Sequence, residues 1–372
     1  MKKIIFIHSG KVEAKNAGSN LRPAKMLAHL RKFADVFCVS GEGADFKERI
    51  VALKNSIASG VKYDAVYVEN RTLPLGLHIQ KKGILPFKRY FYDATERDLL
   101  EYLLAQSLPI HYFYRDIYWD FDEVYKNLPL LKKRYILHYL KKYGTKELRF
   151  LKEKKIHLYV PSQPFADYLL QKHQLKSTPL SPGGVIFNEH PQTQTQKPIQ
   201  LFYVGGVSSM YISDAFLGAL EQLPQDMELT LCCRKPEYEK EKLRLGKIPR
   251  LKVIHQDHKG LQEVYPQMDI GLFPLLPSGY GKLSYSIKIP EYICNGLPML
   301  AMEGTISADL IAKKGIGWIT KPNKEDVLRV LKNLSRELSE ISGKKEMVAQ
   351  VRQEFTWEAV CKQLMAKMEV GA

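Results

Sequence analysis

The sequence is poor in the features that mark the simpler functional classes. Its five cysteines, Cys38, Cys232, Cys233, Cys294 and Cys361, fall in no metal-ligand spacing, which sets aside a zinc finger or ribbon. Cys232 and Cys233 are adjacent in an apolar stretch and should point to opposite faces of a strand. The other three are isolated in apolar contexts, so buried, reduced thiols in a cytosolic protein are expected. No run approaches the roughly 18 to 20 uninterrupted apolar residues of a membrane span. The start, MKKIIFIHSG, has the charge of a signal peptide. Its apolar run stops after a few residues and no small-residue cleavage site follows, so it reads as a first strand. The glycines never fall as G-x-G-x-x-G, and no acidic residue ends the second strand where a ribose would need it. Both absences disfavour a nicotinamide dehydrogenase. Zinc-finger spacing and RNP-type aromatic motifs are also missing, which counts against nucleic acid as a partner.

What is present is an α/β rhythm, played twice. At 372 residues, 45% of them hydrophobic and 10% aromatic, two domains with substantial cores are expected. Continuous apolar stretches at 4–8, 35–40, 64–70, 109–116 and 156–162 alternate with helical patterns. Such strands belong in a parallel sheet covered on both faces. The first helical pattern has Ser19 or Asn20 as an N-cap and Pro23 in its first turn. The segment 181–198, rich in Pro, Gly, Gln and Thr, reads as an interdomain linker. The pattern then restarts with IQLFYVGG, MELTLCC, LKVIHQ, DIGLFPLL and MLAM. We therefore expect two Rossmann-like parallel-sheet domains facing across a cleft, at 1–185 and 186–352. A terminal helix over 353–372, with Thr356 as N-cap and Trp357, Val360, Leu364 and Met368 at helical spacing, should pack back on the first domain.

Negative charge is in short supply: 56 Lys and Arg face 40 Asp and Glu, a net charge of +16. Such an excess calls for an anionic partner. Within 126–155, basic residues interleave with Leu, Ile and Tyr. On a helix, Tyr135, Ile136, Tyr139, Leu140 and Tyr143 share one side, and Arg134, His138, Lys141 and Lys142 the other, with Lys132 intruding on the apolar arc. That is an imperfect interfacial amphipathic helix, and each cation near an anionic leaflet contributes about 1 kcal/mol. A solvated basic helix packed on its own domain is the alternative reading.

The most informative stretch is SYSIKIPEYICNGLP, residues 284–298. An apolar strand precedes it and another follows, giving strand, small-residue loop, short helix, Gly-Pro turn, strand. A small-residue loop opening a helix turns free N–H groups and the positive dipole end outward, which suits a phosphate. Lys288 adds a full charge, and Glu291, one turn on from Ile287 and Lys288, faces the same pocket. This arrangement resembles the donor site of retaining, nucleotide-sugar-dependent GT-B glycosyltransferases of the bacterial capsule and exopolysaccharide type. The resemblance covers most of the chain. Members often carry two Glu residues separated by seven others; here the second is Glu291 and the first position is Leu283. A shortened form with Lys three residues before the retained Glu fits Lys288.

What the resemblance implies is a glycosyltransferase moving a sugar from a nucleoside diphosphate sugar, UDP-linked rather than GDP-linked, to a glycan or lipid-linked acceptor with retention. The place would be bacterial surface polysaccharide synthesis, on the cytoplasmic face of the membrane. Glu291 would hold the ribose; Ser286, the Ile287 backbone and Lys288 the diphosphate, with no cofactor and no bound divalent ion. Gly205 and Gly206 match the glycine turn that opens the donor half. Arg234 would supply further positive charge, and His255 would contact the base, or be an ordinary loop histidine. In the first domain, Gly18, Ser19 and Asn20 would line the cleft near the donor phosphate and acceptor. Arg115 and Asp116 occupy the place of a His or His-Asp pair, so Asp116 either orients the sugar or acceptor hydroxyl, or pairs with a nearby Arg. Glu69, Asn70 and Arg71, and more weakly Tyr92 and Asp93, are further cleft candidates. A GT-B sugar-nucleotide epimerase, a non-catalytic glycosyltransferase-like subunit and a basic nucleic-acid-binding protein are the competing classes.

Overall fold

A computed structural model describes residues 1–12, 18–80, 89–277 and 279–370. The chain forms two compact units: Met1–Ser181 together with Val360–Ala372, and Pro182–Ala359. The chain passes between them at Ser181–Pro182 and again within the last helix, Trp357–Val370. The latter half of that helix packs in the first unit, where the Cys361 thiol lies on the Met26 carbonyl.

The first unit contains β1 (Lys2–His8), β2 (Ala34–Ser40), β3 (Ala65–Glu69), β4 (Leu77–Gln80), β5 (Arg89–Tyr92), β6 (Ile110–Phe113), β7 (His157–Val160) and β8 (Thr178–Pro179). Six pair in the order β2-β1-β3-β6-β7-β8, all parallel, while β4 and β5 form a separate antiparallel pair. The central strands read as unbroken apolar runs because helices cover both faces: Ile4 to Ile7 and Ala65 to Val68 are all buried. From β1 the chain turns to β2 on one side, then to β3 on the other. The carboxyl ends of β1 and β3 therefore flank the switch point where ligands bind in open α/β sheets.

The second unit repeats the plan with β9 (Ile199–Val204), β10 (Met227–Cys232), β11 (Leu251–Ile254), β12 (Ile270–Phe273), β13 (Met299–Met302) and β14 (Gly317–Thr320), in the order β11-β10-β9-β12-β13-β14. Alternate residues feed two cores: Leu201, Ile270 and Leu272 join one cluster, Phe202 and Phe273 the other. Cys232 and Cys233 go to opposite clusters, as adjacent strand positions must. All five cysteines are free thiols, four buried and Cys38 partly so.

Three expectations need correction. The first helix runs Gly18–Leu30 and contains Pro23, so Pro23 is not in its opening turn. The segment 181–198 is no loose linker. Asn295 clamps it by donating to the Val185 carbonyl (3.0 Å) and accepting from the Phe187 N–H (3.1 Å). Arg352 donates to the carbonyls of Asn188 and Glu189. Two polar side chains thus replace the regular structure that its composition forbids. Finally, the basic stretch is one 24-residue helix, Leu130–Glu153, and its tyrosines are engaged. Tyr139 stacks on Tyr90 (5.6 Å between ring centroids), and Tyr143 on Tyr92 (5.0 Å). That face packs on β5 of its own unit and is not free for a lipid surface. No helix among the described residues is long and apolar enough to cross a membrane.

Candidate functional site

In the second unit, the glycine turn after β9 meets the short helix Lys288–Cys294. The helix is seated by Tyr292, whose hydroxyl accepts the Val204 N–H of β9 (3.1 Å). Its ring lies so close to β12 that a Cβ on Gly271 would come within 2.5 Å of it. This anchoring brings Lys288 over the glycine turn. Lys288 Nζ donates to the Tyr203 hydroxyl (3.1 Å) and sits 4.5 Å from the centre of that ring. Tyr203 in turn donates to the Gly206 carbonyl (2.6 Å). Gly205, at φ +137°, makes this possible: a Cβ there would lie 2.3 Å from Lys288 Nζ. Gly206 has the same relation to Tyr211, with 2.5 Å to the ring.

Burial pulls the Lys288 ammonium down to about 8, against the attraction of Glu291 and Glu237. Among the described residues no carboxylate forms an ion pair with it. The lysine is thus a cation held in place by neutral groups and a ring face. With only seven residues, the helix contributes a modest dipole, so the charge at this place comes chiefly from Lys288. Ser286 Oγ accepts the Lys288 N–H (3.3 Å) and shapes the helix entry.

Glu291 lies one turn on and is buried. Its carboxylate meets His258 Nε2 at 3.3 Å. His258 packs edge-on against Phe187 (5.3 Å), which stacks on Tyr265 (6.1 Å). The Tyr265 hydroxyl is buried with no hydrogen-bond partner among the described residues. His258 and Phe187 escaped the sequence reading. No spacing marks His258, and Phe187 sits in the stretch whose polar composition suggested a linker. His255, chosen instead, donates through Nδ1 to the Cys233 carbonyl (2.7 Å) and is not paired with Glu291. Arg234 is exposed and paired with Glu237 (2.8 Å); no contact joins it to Lys288. Leu283, where a first Glu was sought, is buried.

In the first unit, Arg115 and Asp116 follow β6 and form an ion pair at 3.7 Å. Each is also engaged elsewhere; burial lowers the proton affinity of His8 at the end of β1, with Arg115 and Arg71 adding to it against the attraction of Glu69. The His8 ring is fixed against the Glu69 carbonyl (2.8 Å). Glu69 is a structural anchor: its Oε1 accepts from Arg22 Nε (3.0 Å) and the Tyr67 hydroxyl (2.6 Å) beneath the surface. Gly18, Ser19 and Asn20 open the first helix; their side chains, and residues 13–17 before them, lie outside the described residues. Asp120 and Asp122 do have the Asp-x-Asp spacing of divalent-ion sites, contrary to the expectation of a chain without that motif. Asp120 binds His173 (2.7 Å) and Lys172 (2.9 Å), and Asp122 binds Lys141 (2.8 Å). Hydrogen bonds from His173, Lys172 and Tyr168 outweigh burial and hold the Asp120 carboxyl near 2. Both are committed to ion pairs across the surface of the first unit.

No protein-family model and no curated protein matches this chain. Solved structures do. HepE of Anabaena, determined in complex with UDP-glucose, is 12% identical with a TM-score of 0.62, all of each chain being covered. WaaG, a glycosyltransferase involved in lipopolysaccharide biosynthesis, is 14% identical with a TM-score of 0.61 over 97% of this chain and 98% of its own. A glycosyltransferase from Rickettsia africae is 12% identical with a TM-score of 0.63 over 99% and 98%. At such identities the likeness is one of fold: the chain has the GT-B fold.

Proposed function

We propose that this protein is a glycosyltransferase that takes its sugar from a nucleoside diphosphate sugar. The observation that carries the reading is Lys288, a partly buried cation packed on Gly205 and Tyr203, with the Glu291–His258 pair one helical turn away. A diphosphate supplies the anion that Lys288 lacks, and a buried carboxylate beyond it suits the paired hydroxyls of a ribose. Lys288, Ser286 and the Ile287 backbone would bind the diphosphate, and Glu291 the ribose, with Asp116 and Arg115 near the sugar or the acceptor hydroxyl. HepE was solved with UDP and UDP-glucose, which favours a UDP-sugar. As the glycosidic bond breaks, positive charge fixed at the leaving diphosphate stabilises it with little reorganisation. Lys288 supplies that charge without a divalent ion, and same-face attack, with the leaving phosphate as base, would retain the anomeric configuration.

A thermal-shift titration with UDP, GDP and CMP and their sugars tests the donor class. A ligand at 100 times its dissociation constant stabilises the fold by about 2.7 kcal/mol, and UDP is expected to do so. Turnover of the preferred UDP-sugar, followed by proton NMR in EDTA, should continue and yield the retained anomer. An inverted product, or dependence on added metal, would overturn that part of the reading. Binding without turnover of any acceptor would identify a non-catalytic subunit, and turnover of the donor alone an epimerase.

We also propose that the protein works at the cytoplasmic face of the membrane, on glycan or lipid-linked acceptors of surface polysaccharide synthesis. WaaG is described as acting in lipopolysaccharide biosynthesis. Support within the chain comes from the start of the helix Leu130–Glu153, where Leu130 and Leu131 are 71% and 82% exposed. Lys132, Lys133 and Arg134 follow directly. Two leucines entering an interface beside three cations is the pairing that holds peripheral helices on anionic lipid. Replacing both leucines with Ser should weaken sedimentation with phosphatidylglycerol vesicles by about tenfold or more. Unchanged sedimentation would move the membrane contact elsewhere.

A further inference from the structure

The glycine turn after β9 runs on into a short loop, residues 208–211, whose two ends are pinned. Val207 and Ile212 are buried in a core cluster of the second unit. The Arg244 guanidinium, from the helix Lys235–Leu245, donates to both of their carbonyls, at 3.2 Å and 2.5 Å. Between them the Ser208 carbonyl accepts the N–H groups of Tyr211 (2.9 Å) and Ile212 (3.0 Å). The loop is thus a tight turn on a fixed base. Its tip carries Met210 and Tyr211, 54% and 45% exposed. A half-exposed tyrosine is ordinary by itself; what this ring covers is not.

The ring lies on Gly206, where a Cβ would come within 2.5 Å of it. Its centroid is 5.8 Å from the Lys288 ammonium, inside the ~6 Å reach of a cation over an aromatic face. Tyr203 holds the same ammonium more closely, at 4.5 Å from its centroid, and accepts one of its N–H groups. Lys288 therefore meets two rings, one from β9 and one from the loop. The bare glycines make room for both: the end of the Lys288 side chain fills the Cβ position of Gly205, and the Tyr211 ring that of Gly206. Glu291, on the same helix as Lys288, and Glu237, on the helix Lys235–Leu245, attract the ammonium from a distance. A lysine stem carries much rotamer freedom, and one hydrogen bond to Tyr203 at its far end restrains only part of it.

We infer that Tyr211 is a positioning residue: its ring holds the Lys288 side chain on the Gly205–Gly206 turn and keeps water from it before any ligand arrives. The ammonium is then desolvated and aimed in advance, so less freedom is lost when an anion binds. That this anion is a donor diphosphate rests on the glycosyltransferase reading; the hold on Lys288 does not.

The test reads Lys288 first without any ligand. Competitive acetylation of the full chain with trace acetic anhydride, followed by mass spectrometry at Lys288 from about pH 6 to 11, gives the midpoint of its ammonium. The wild-type midpoint is expected near 8. In Tyr211→Ala the lost ring contact favours the amine, while regained hydration favours the ammonium. Burial is the larger influence on Lys288, so the midpoint should rise by about half a unit to one unit. Tyr211→Phe retains the ring and should keep the wild-type midpoint. Calorimetric titration with UDP at neutral pH should then show binding weaker by about threefold to tenfold in Tyr211→Ala, the freedom of one released side chain. Tyr211→Phe should bind UDP as the wild type does. Because Tyr211 sits at an exposed loop tip, both variants should keep the wild-type melting temperature.

An unmoved midpoint in Tyr211→Ala overturns the inference. So does UDP binding that is unchanged or tighter in that variant, which would make the ring a bystander or an obstacle over the turn. The same changes in Tyr211→Phe would assign the effect to the hydroxyl and overturn it as well. The donor reading fails separately: a wild type that does not bind UDP, with the midpoint still raised in Tyr211→Ala, sinks that reading and leaves the hold on Lys288 standing. UDP binding with an unmoved midpoint does the reverse.

Discussion

Replacing Lys288 with Met is expected to leave the protein folded, somewhat more heat-stable, and nearly inactive. The loss of activity follows from charge. If Lys288 is the cation at the leaving diphosphate, removing a preorganised group of this kind costs roughly 10²- to 10³-fold in rate. The gain in stability follows from the same burial. The folded protein holds Lys288 near 8, against an ordinary value of 10.5. Between these values the unfolded chain binds more protons at this site, so this group makes stability rise with pH through that window and lowers it at neutral pH. A Met fills the same stem volume without a charge to desolvate. The activity has the opposite pH dependence. On that reading the ammonium form would be the working form, so kcat/KM for the donor should fall as pH rises through about 8, while kcat, set by the diphosphate-bound enzyme, should hold to higher pH. Lys288→Arg separates the two demands. Its guanidinium stays charged, so the alkaline limb should disappear even if activity drops because the larger group does not fit over Gly205. A pH profile of kcat/KM with the preferred UDP-sugar decides the matter. An alkaline limb that persists in Lys288→Arg assigns it to another group.

Much of this was visible in the residues, for a physical reason. Parallel strands covered on both faces must be apolar throughout, so β1, β3, β6, β9, β10 and β12 stood out as unbroken runs. A helix start that relies on a single hydroxyl was also legible: Thr356 Oγ1 accepts the Ala359 N–H. The features that escaped depend on residues far apart in the chain. Lys288 and Tyr203 are 85 positions apart, and only the seating of Tyr292 against β9 and β12 brings them together. Strands without an unbroken buried run escaped: β4, β5 and β14 each carry exposed positions, and β8 has only two residues. Composition misled at 181–198, because a segment can be polar and still be fixed when Asn295 and Arg352 supply its hydrogen bonds. At the helix Leu130–Glu153 composition left two readings open, and the stacking of its tyrosines on those of β5 favours packing on its own unit.

The second large effect concerns Glu291, and its partner makes the prediction specific. Hydrogen bonds to a charged acceptor contribute roughly 1.5 to 3 kcal/mol each, so Glu291→Ala should weaken UDP binding by about tenfold to a hundredfold or more. If the carboxylate holds the ribose, the penalty is confined to ligands with both ribose hydroxyls. Wild type should discriminate UDP from its 2′,3′-dideoxy analogue, and Glu291→Ala should bind the two alike. If His258, 3.3 Å from the carboxylate, acts through Glu291, it does so by fixing its direction. His258→Ala should therefore cost less than Glu291→Ala, and the double variant should bind UDP no worse than Glu291→Ala alone, since neighbours in one network are not additive. Independent action by His258, for instance on the base, predicts the opposite: the two penalties add, and the loss in His258→Ala persists with the dideoxy analogue. Calorimetric titration of the three variants with the two ligands separates these cases. The reading of Glu291 itself fails if wild type loses affinity for the dideoxy analogue and Glu291→Ala loses just as much, because the hydroxyls would then be held by another group.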